Sequence, residues 1–523
     1  MNGNAVMTPY PKRWWALSAL VVSLLVIGLD ITILNVALPT LATDLDATNG
    51  DLQWIADSYT LVFAGLLLPA GVLGDRYGRR LLILIGLVVF GAASALSAWS
   101  PGTTELIWAR ALLGVGAAII TPLSLSILPA MFPEEERGKA IAVWSTGMVV
   151  GLPLGPILGG YLIEHFWWGS VFLINVPVIA VGVVFAALLL PESRDPAKPG
   201  VDAVGGLLST VGLCSLLFGI IEGPRRGWGS GWIVLTLAAG AVLLVVFVIW
   251  ESRVRRPLID LSLFTNRAFT VATAALAVLS FVLYGILFVI PQYLQVVLEN
   301  SALGTGVKLL PLVLAYMLGA AVSDPLTSRI GERWSVSGGL AVLAAGSGVM
   351  AGIDADSTFS LAAVAMVVLG VGLGVALPPC VELVMGALPA DRTGSGTALT
   401  TALRQVGGAV GIAVLGSMLA AIYTDRLGGA ADGLPEKLRG PVTDSVAAAS
   451  AVADGLGAAG EPLRRAAYSA FTDGMDSLSV VCSIVALIGV AVVAAFLPAR
   501  TAGTGAAAVG SPDHVKVSGE SQA

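Results

Sequence analysis

The sequence predicts an all-α membrane protein of fourteen spanning helices, arranged as two six-helix bundles with two further helices inserted between them. Its composition, its recurrent apolar runs and an internal repeat predict it. Apolar residues make up 56% of the 523-residue chain and charged residues only 12%, against roughly 25% charged in an average soluble protein. Such a chain cannot cover a water-facing surface, so its solvent is a bilayer. A soluble multi-domain enzyme is excluded. A nucleic-acid binder, which needs a basic footprint, is excluded too: 34 Asp and Glu outnumber 28 Lys and Arg. Two histidines, His165 and His514, and three isolated cysteines, Cys214, Cys380 and Cys482, offer no metal, haem or disulfide arrangement.

A spanning helix needs about 20 predominantly apolar residues, and only helices or closed barrels satisfy their backbone polar groups in lipid. Runs of that length cover 15–38, 52–73, 80–99, 105–129, 139–163 and 169–190, then 203–221 and 231–250, then 269–298, 305–330, 334–354, 358–386, 396–423 and 475–497. The first follows Lys12 and Arg13 and lacks a small-residue cleavage site, so it reads as a membrane helix and not a signal peptide. An even count puts both termini on one side. With the N-terminus cytoplasmic, 18 Lys and Arg lie inside and only Arg225, Arg226 and Lys308 in short outer loops, the bias that orients membrane helices. Both termini are therefore expected inside. Residues 424–474 read as a long outer loop with short helices after Asp444 and Pro462, and 501–523 as a disordered cytoplasmic tail. Arg outnumbers Lys 22 to 6, which suggests a high-GC bacterial gene and hence a bacterial inner membrane.

The segment from Leu113 to Gly160 recurs 256 residues later without a gap: Pro122, Pro133, Gly138, Gly151, Gly155 and Gly160 fall on Pro378, Pro389, Gly394, Gly407, Gly411 and Gly416. Arg76-Tyr-Gly-Arg-Arg80 resembles Arg329-Ile-Gly-Glu-Arg333 at an offset of 253. Chance similarity between apolar helices does not put prolines and glycines in register across a loop. The repeat pairs spans 2–5 with spans 10–13 and leaves spans 7 and 8 as an insertion. The expected units are 1–190, an insertion with linkers over 191–267, and 268–500. Two such repeats with the substrate path between them is a transporter architecture.

Four motifs carry a family resemblance. The loop after span 2 contains Gly71, Asp75, Arg76, Gly78, Arg79 and Arg80, a tight turn with an acid and three bases crowded at two helix ends. Its plain reading is a topogenic basic loop; with the acid and glycines in register it resembles the signature loop of the major facilitator superfamily. Span 4 carries Arg110, Gly114 and Gly116, similar to that family's second motif. Span 5 carries Gly151, Gly155, Pro156, Gly159 and Gly160, resembling the motif of its drug antiporters; small residues let helices approach closely. Span 1 ends in Asp30-Ile-Thr-Ile-Leu-Asn35-Val-Ala-Leu-Pro39, similar to the fourteen-helix drug:proton antiporters. The resemblance implies proton-driven export by alternating access, with no cofactor, no enzymatic step, and a site between the halves. It also marks a departure. Members that export quaternary ammonium compounds carry acids in spans 10 and 13, where this chain has Tyr316 and Arg404, which argues against dicationic substrates.

Charges within spans default to functional candidates. Asp30, Asp57 and Arg110 fall at similar depths of the first half, at 1.5 Å of rise per residue. Burial favours a protonated carboxylate and a nearby guanidinium an ionised one, so a change in the separation of Asp30 and Arg110 would load and release a proton. The competing reading is a static ion pair. Asp324, Glu382 and Arg404 form a second group in the other half, as gate or substrate contacts, with Asn35, Tyr284 and Tyr316 as further possible contacts; packing is the commoner role of such tyrosines. The expected partners are a small lipophilic or amphiphilic substrate, protons and lipid, with a monomer sufficient. The expected function is export of lipophilic drugs, antibiotics or dyes, the alternative being one endogenous metabolite, lipid or self-made antibiotic.

Overall fold

Every predicted run holds a helix, most of them outlasting the run at one end or both, while the helix in 334–354 stops at Met350. The computed structural model describes residues 10–47, 49–194, 202–254, 257–388, 393–431 and 434–498, and no strand occurs among them. Spans 1 to 4 are Arg13–Asp44, Asn49–Tyr77, Arg79–Ala98 and Thr103–Ser126, and span 5 is Glu134–His165. Span 6 joins Ser170–Leu173 to Asn175–Leu189. The inserted spans 7 and 8 are Ala203–Arg226 and Gly231–Glu251. Span 9 is Arg267–Gln292, continued as one π turn, Tyr293–Val297, just after Pro291. Span 10 joins Ala302–Lys308 to Leu310–Ile330, and spans 11 to 14 are Glu332–Met350, Phe359–Ala387, Thr393–Leu427 and Glu461–Phe496.

Thirteen of these are long and apolar enough to cross a membrane by composition alone; Glu332–Met350 is the fourteenth and the least apolar. It opens on the charged pair Glu332 and Arg333 and is rich in small residues, of which Gly339 and Gly346 face Ala376 and Leu369 of span 12.

The outer loop is shorter than the sequence suggested. Span 13 continues to Leu427, and the helix expected after Pro462 is the first turn of span 14, where Glu461 and Pro462 suit a helix start. Between them lie Glu436–Asp444 and Val446–Leu456, so the loop proper is 428–460 and not 424–474. The tail 501–523 lies outside the described residues.

Helix packing follows the repeat. Span 1 packs on span 5 and span 9 on span 13; span 2 on span 4 and span 10 on span 12; span 3 on spans 4 and 6, and span 11 on spans 12 and 14. The contacts agree residue by residue. Gly114 of span 4 sits against Tyr59 O and Phe63 N; its counterpart Gly370 sits against Leu312 O and Tyr316 N, 253 residues on. Gly116 meets Gly86 O and Phe90, and Gly372 meets Gly339 O and Leu343. Lipid gives helices no hydrophobic reason to associate, so backbone approach at glycines supplies the van der Waals contact instead. The fold is thus two six-helix bundles. Spans 7 and 8 stand outside the repeat: span 7 packs on spans 2, 8 and 13, while span 8 turns Val242, Val245 and Val248 outward, each about half exposed.

A Cβ on Gly372 would lie 2.5 Å from Leu343 N, whereas one on Gly386 meets nothing within 4 Å. We expect Gly372→Val to lower the melting temperature of the purified protein by several degrees, in line with overpacking costs of about 1–3 kcal/mol. Gly386→Ala should leave it unchanged or raise it; fluorescence-detected thermal unfolding distinguishes them.

Candidate functional site

Asp30 and Arg110 meet in the first bundle. Arg110 Nη1 donates to Asp30 Oδ2 at 2.6 Å, and both side chains are essentially inaccessible. Asn175 of span 6 donates to the other carboxylate oxygen, Oδ1, at 3.2 Å, and to Ser94 Oγ at 3.4 Å. Arg110 Nε donates to Ile55 O at 3.1 Å. The guanidinium also lies over the rings of Tyr59 and Phe172, 4.8 and 5.9 Å from their centroids. A pair out of water survives only when its remaining donors and acceptors are answered, and here spans 1, 2, 3, 4 and 6 supply those answers. Asp57 is not among them. It lies one helical face away, on the wall of a cavity.

Asp75 reaches across to the second bundle. Its Oδ1 and Oδ2 accept from the backbone N–H groups of Gly394 and Ser395, each at 2.9 Å, in the first turn of span 13. Unpaired N–H groups and the helix dipole favour a carboxylate there. Arg79 completes the site, with Nη2 donating to Asp75 Oδ1 at 2.8 Å and Nη1 to Ser193 Oγ at 2.7 Å. Gly71 stands where Gly394 O comes closest. Gly78 has φ +113°, a conformation that favours glycine, and Glu192 fills the space a side chain would need. Arg80 donates to Ala187 O, and Arg76 lies beside the Tyr77 ring. The same end is fastened by Thr393 Oγ1 to Ser126 O at 3.2 Å and Thr397 Oγ1 to Pro122 O at 3.1 Å.

Span 5 joins the two bundles at the opposite end. Gly151, Gly155 and Gly159 lie against Leu29, Ile33 and their neighbours in span 1. Pro156 has no N–H, which frees Leu152 O, and Thr32 Oγ1 donates to it at 2.9 Å. Gly306 of span 10 fits against Ile157 and Pro153 O, and Gly160 faces Leu303. Between the bundles lies a cavity of about 550 Å³ lined by Thr32, Pro153 and Pro156 of the first bundle and by Gln292, Leu312 and Tyr316 of the second, and reaching Ala447 of the outer loop. A second cavity of about 420 Å³ adjoins it across Phe288 and includes Asp57, Tyr59, Tyr284 and Gln405.

The remaining residues separate. Arg404 Nε donates to Ser280 Oγ at 3.5 Å, among Tyr284, Tyr316 and Cys380. Asp324 and Glu382 do not join it; both converge on Gly138 at the start of span 5, where an added Cβ would lie 2.9 Å from Asp324 Oδ1 and 3.1 Å from Glu382 Oε2. The second group expected from sequence is therefore two sites. The side chain of Asn35 lies outside the described residues. Sequence reading missed Asn175, though a lone amide in the apolar run 169–190 is its signal. It also missed Gly394 and Ser395, whose backbone N–H groups carry no side-chain signature.

Two bundles of six helices with a cavity between them are the architecture of a membrane transporter. The profile of the Major Facilitator Superfamily matches residues 20–412, and the chain belongs to that family. It is 34% identical over 496 residues to the multidrug efflux pump LfrA of Mycolicibacterium smegmatis, covering 94% of this chain and 98% of that one. It is 32% identical to the tetracenomycin C resistance and export protein of Streptomyces glaucescens, covering 92% and 91%. Among solved structures, a bacterial homologue of the human lysosomal transporter Spinster, inward-facing and unoccupied, superposes with a TM-score of 0.59 at 18% identity, over 94% of this chain and 99% of that one.

Removing one member of a buried ion pair strands the other. Arg110→Leu should therefore lose about 3–5 kcal/mol of stability, and adding Asp30→Asn in the same chain should restore part of it. Thermal unfolding of the single and double variants reads the difference. At the other site, Gly394→Val should push the Asp75 carboxylate off the span 13 N-terminus and raise the labelling rate of a cysteine placed at Ser126, in a background without native cysteines, severalfold.

Proposed function

We propose that this protein is a proton-coupled antiporter of the bacterial inner membrane that exports lipophilic drugs, antibiotics or dyes by alternating access. The cavity of about 550 Å³ between the bundles carries the reading. It is large enough for a drug-sized molecule, its walls are mostly aliphatic with few polar groups, and such a surface selects for lipophilicity over a fixed hydrogen-bond pattern. The relatives' names, a multidrug efflux pump and an antibiotic export protein, support it.

In this reading 1–190 and 268–500 rock against each other as units, with 191–267 between them and both termini cytoplasmic. The Asp75 latch and the span 5–span 10 contact would be the two gates, opened in turn. Asp30 is the coupling carboxylate: while Arg110 and Asn175 hold it, its charge is balanced, and a shift that parts it from Arg110 leaves a buried carboxylate that takes up a proton. No cofactor or covalent chemistry enters the cycle, and one chain suffices. Substrate and proton share no residue. Asp57, Tyr284 and Tyr316 are assigned to cavity walls, and Asp324, Glu382 and Arg404 to the gate and packing of the second bundle.

A second reading is favoured by the tetracenomycin exporter among the relatives: a dedicated exporter of one endogenous product, whose transport other compounds would not inhibit. Inverted vesicles test both. Ethidium uptake should follow an imposed proton gradient, collapse with a protonophore, and fall at least tenfold in Asp30→Asn at equal protein. Uptake that survives Asp30→Asn at full rate excludes the coupling role, and a panel of unrelated inhibitors separates broad from dedicated export.

A further inference from the structure

The second bundle holds a cation that nothing within it answers. Arg404 of span 13 lies about 15 Å along the helix from Gly394, deep in the hydrocarbon layer. Its Nε donates to Ser280 Oγ of span 9 in a long contact of 3.5 Å, and Nη1 and Nη2 meet no acceptor among the described residues. Its other neighbours are Tyr284 of span 9, Tyr316 of span 10 and Cys380 of span 12, none of which carries a carboxylate. The acids of spans 10 and 12, Asp324 and Glu382, turn to Gly138 instead. In the first bundle, by contrast, Arg110 has a carboxylate at 2.6 Å, a carbonyl at 3.1 Å and two rings over it. An unpaired charge in lipid is costly, and packing accounts for the stem of Arg404 but not for its guanidinium.

Donors outnumber acceptors around it. Tyr316 Oη is buried and makes no hydrogen bond of good geometry, with Ser145 beside it. Tyr284 Oη reaches Gln405 Oε1 only at 3.5 Å. The cluster also forms the floor of the larger cavity. On spans 9, 10 and 12 the lining of that cavity ends, toward the Asp75 contact, at Leu283, Tyr316 and Leu377. Ser280 and Cys380 lie one helical turn beyond the first and last of these. Tyr316 therefore belongs both to the cavity wall and to the surroundings of Arg404, and Arg404 keeps part of its surface accessible. A molecule in the cavity has aliphatic side chains and prolines around its body and one unanswered positive charge at one end.

We infer that Arg404 and Tyr316 form the subsite for the anionic group of a lipophilic monoanion, a carboxylate or a phenolate, whose apolar body fills the larger cavity. A guanidinium offers a carboxylate two parallel N–H donors, and the phenol of Tyr316 adds a third. The inference rests on the export function above and narrows its substrates from lipophiles in general to lipophilic acids. Binding needs no proton gradient, so an anion bound but not moved counts against the export reading alone.

Two probes that share a pyrene ring system and differ in one group, pyrenebutyrate and pyrenebutanol, decide it. They are bound at equilibrium to the full-length protein in lipid nanodiscs, with binding to empty nanodiscs subtracted. The wild type should hold the carboxylate at least tenfold more tightly than the alcohol. Arg404→Gln should weaken the carboxylate at least tenfold and leave the alcohol within twofold, which also shows that the variant is folded. Arg404→Lys keeps the charge, loses the fork and should fall between, while Tyr316→Phe should weaken the carboxylate severalfold and spare the alcohol. An unpaired guanidinium also bears on the empty protein: Arg404→Gln should melt no lower than the wild type, and pyrenebutyrate should raise the melting temperature of the wild type only. Equal affinity of the wild type for both probes would overturn the inference, as would pyrenebutyrate held by Arg404→Gln as by the wild type. So would an empty Arg404→Gln that melts several degrees lower, because the guanidinium would then be held by groups of the bundle itself.

Discussion

A polar group in the hydrocarbon layer has no water to turn to, and most of the specific geometry in this protein follows from that constraint. Prolines inside spans 2 and 5 free the carbonyls of Gly65 and Leu152, and a threonine from another helix answers each one: Thr210 from span 7 and Thr32 from span 1. Each proline therefore also chooses a neighbour for its helix. Charges obey the same rule at higher stakes. Arg110 directs one N–H at Asp30 and another at the carbonyl of Ile55, and two aromatic rings cover it. Asp75 finds its partners in the unpaired N–H groups at a helix start, the one place where backbone offers donors that no carbonyl already holds.

Glycine sets the spacing within which those polar contacts can form. The glycine pairs that bring span 4 against spans 2 and 3 recur at offsets of 253 to 256 in the second bundle, so the two bundles share one packing scheme. Their polar content does not follow the repeat. Phe63 corresponds to Tyr316 at the 253 offset, and Asp75 to Ser328, so the dipole-capping carboxylate exists in one bundle only. In the other, Asp324 stands where Gly71 stands in the first and faces Gly138, the counterpart of Gly394. One scaffold thus carries unlike charges at the corresponding contacts of its two halves, Asp75 at the start of span 13 and Asp324 at the start of span 5.

How much of this the sequence made legible depends on whether the feature is local. Span number, the repeat and the signature loop are local or periodic, and they could be read from apolar runs, proline and glycine spacing and charge order. The pairing of Asp30 with Arg110 was within reach because helix rise converts position into depth. Helix rotation is what that arithmetic lacks: Asp57 shares the depth of Arg110 and lines a cavity instead of joining the pair, whereas Asp324 lies about 12 Å along span 10 from Tyr316, beside which Arg404 sits. Glu332–Met350 shows the opposite difficulty. It was legible as a span from its apolar run, but only the packing against span 12 shows what its glycines are for.

Span 7 joins these strands. Thr210 and Cys214 donate to carbonyls of span 2, an apolar surface meets span 13, and Trp228 of the following loop donates to Ser417 of span 13. Hydrogen bonds to backbone hold a helix in register, whereas apolar contact in lipid resists separation weakly and sliding less. In the proposed rocking of the bundles, span 7 would travel with span 2 and slide over span 13, staying as one wall of the smaller cavity. A helix inserted between two repeats is free to take this role because neither bundle needs it to complete its own packing.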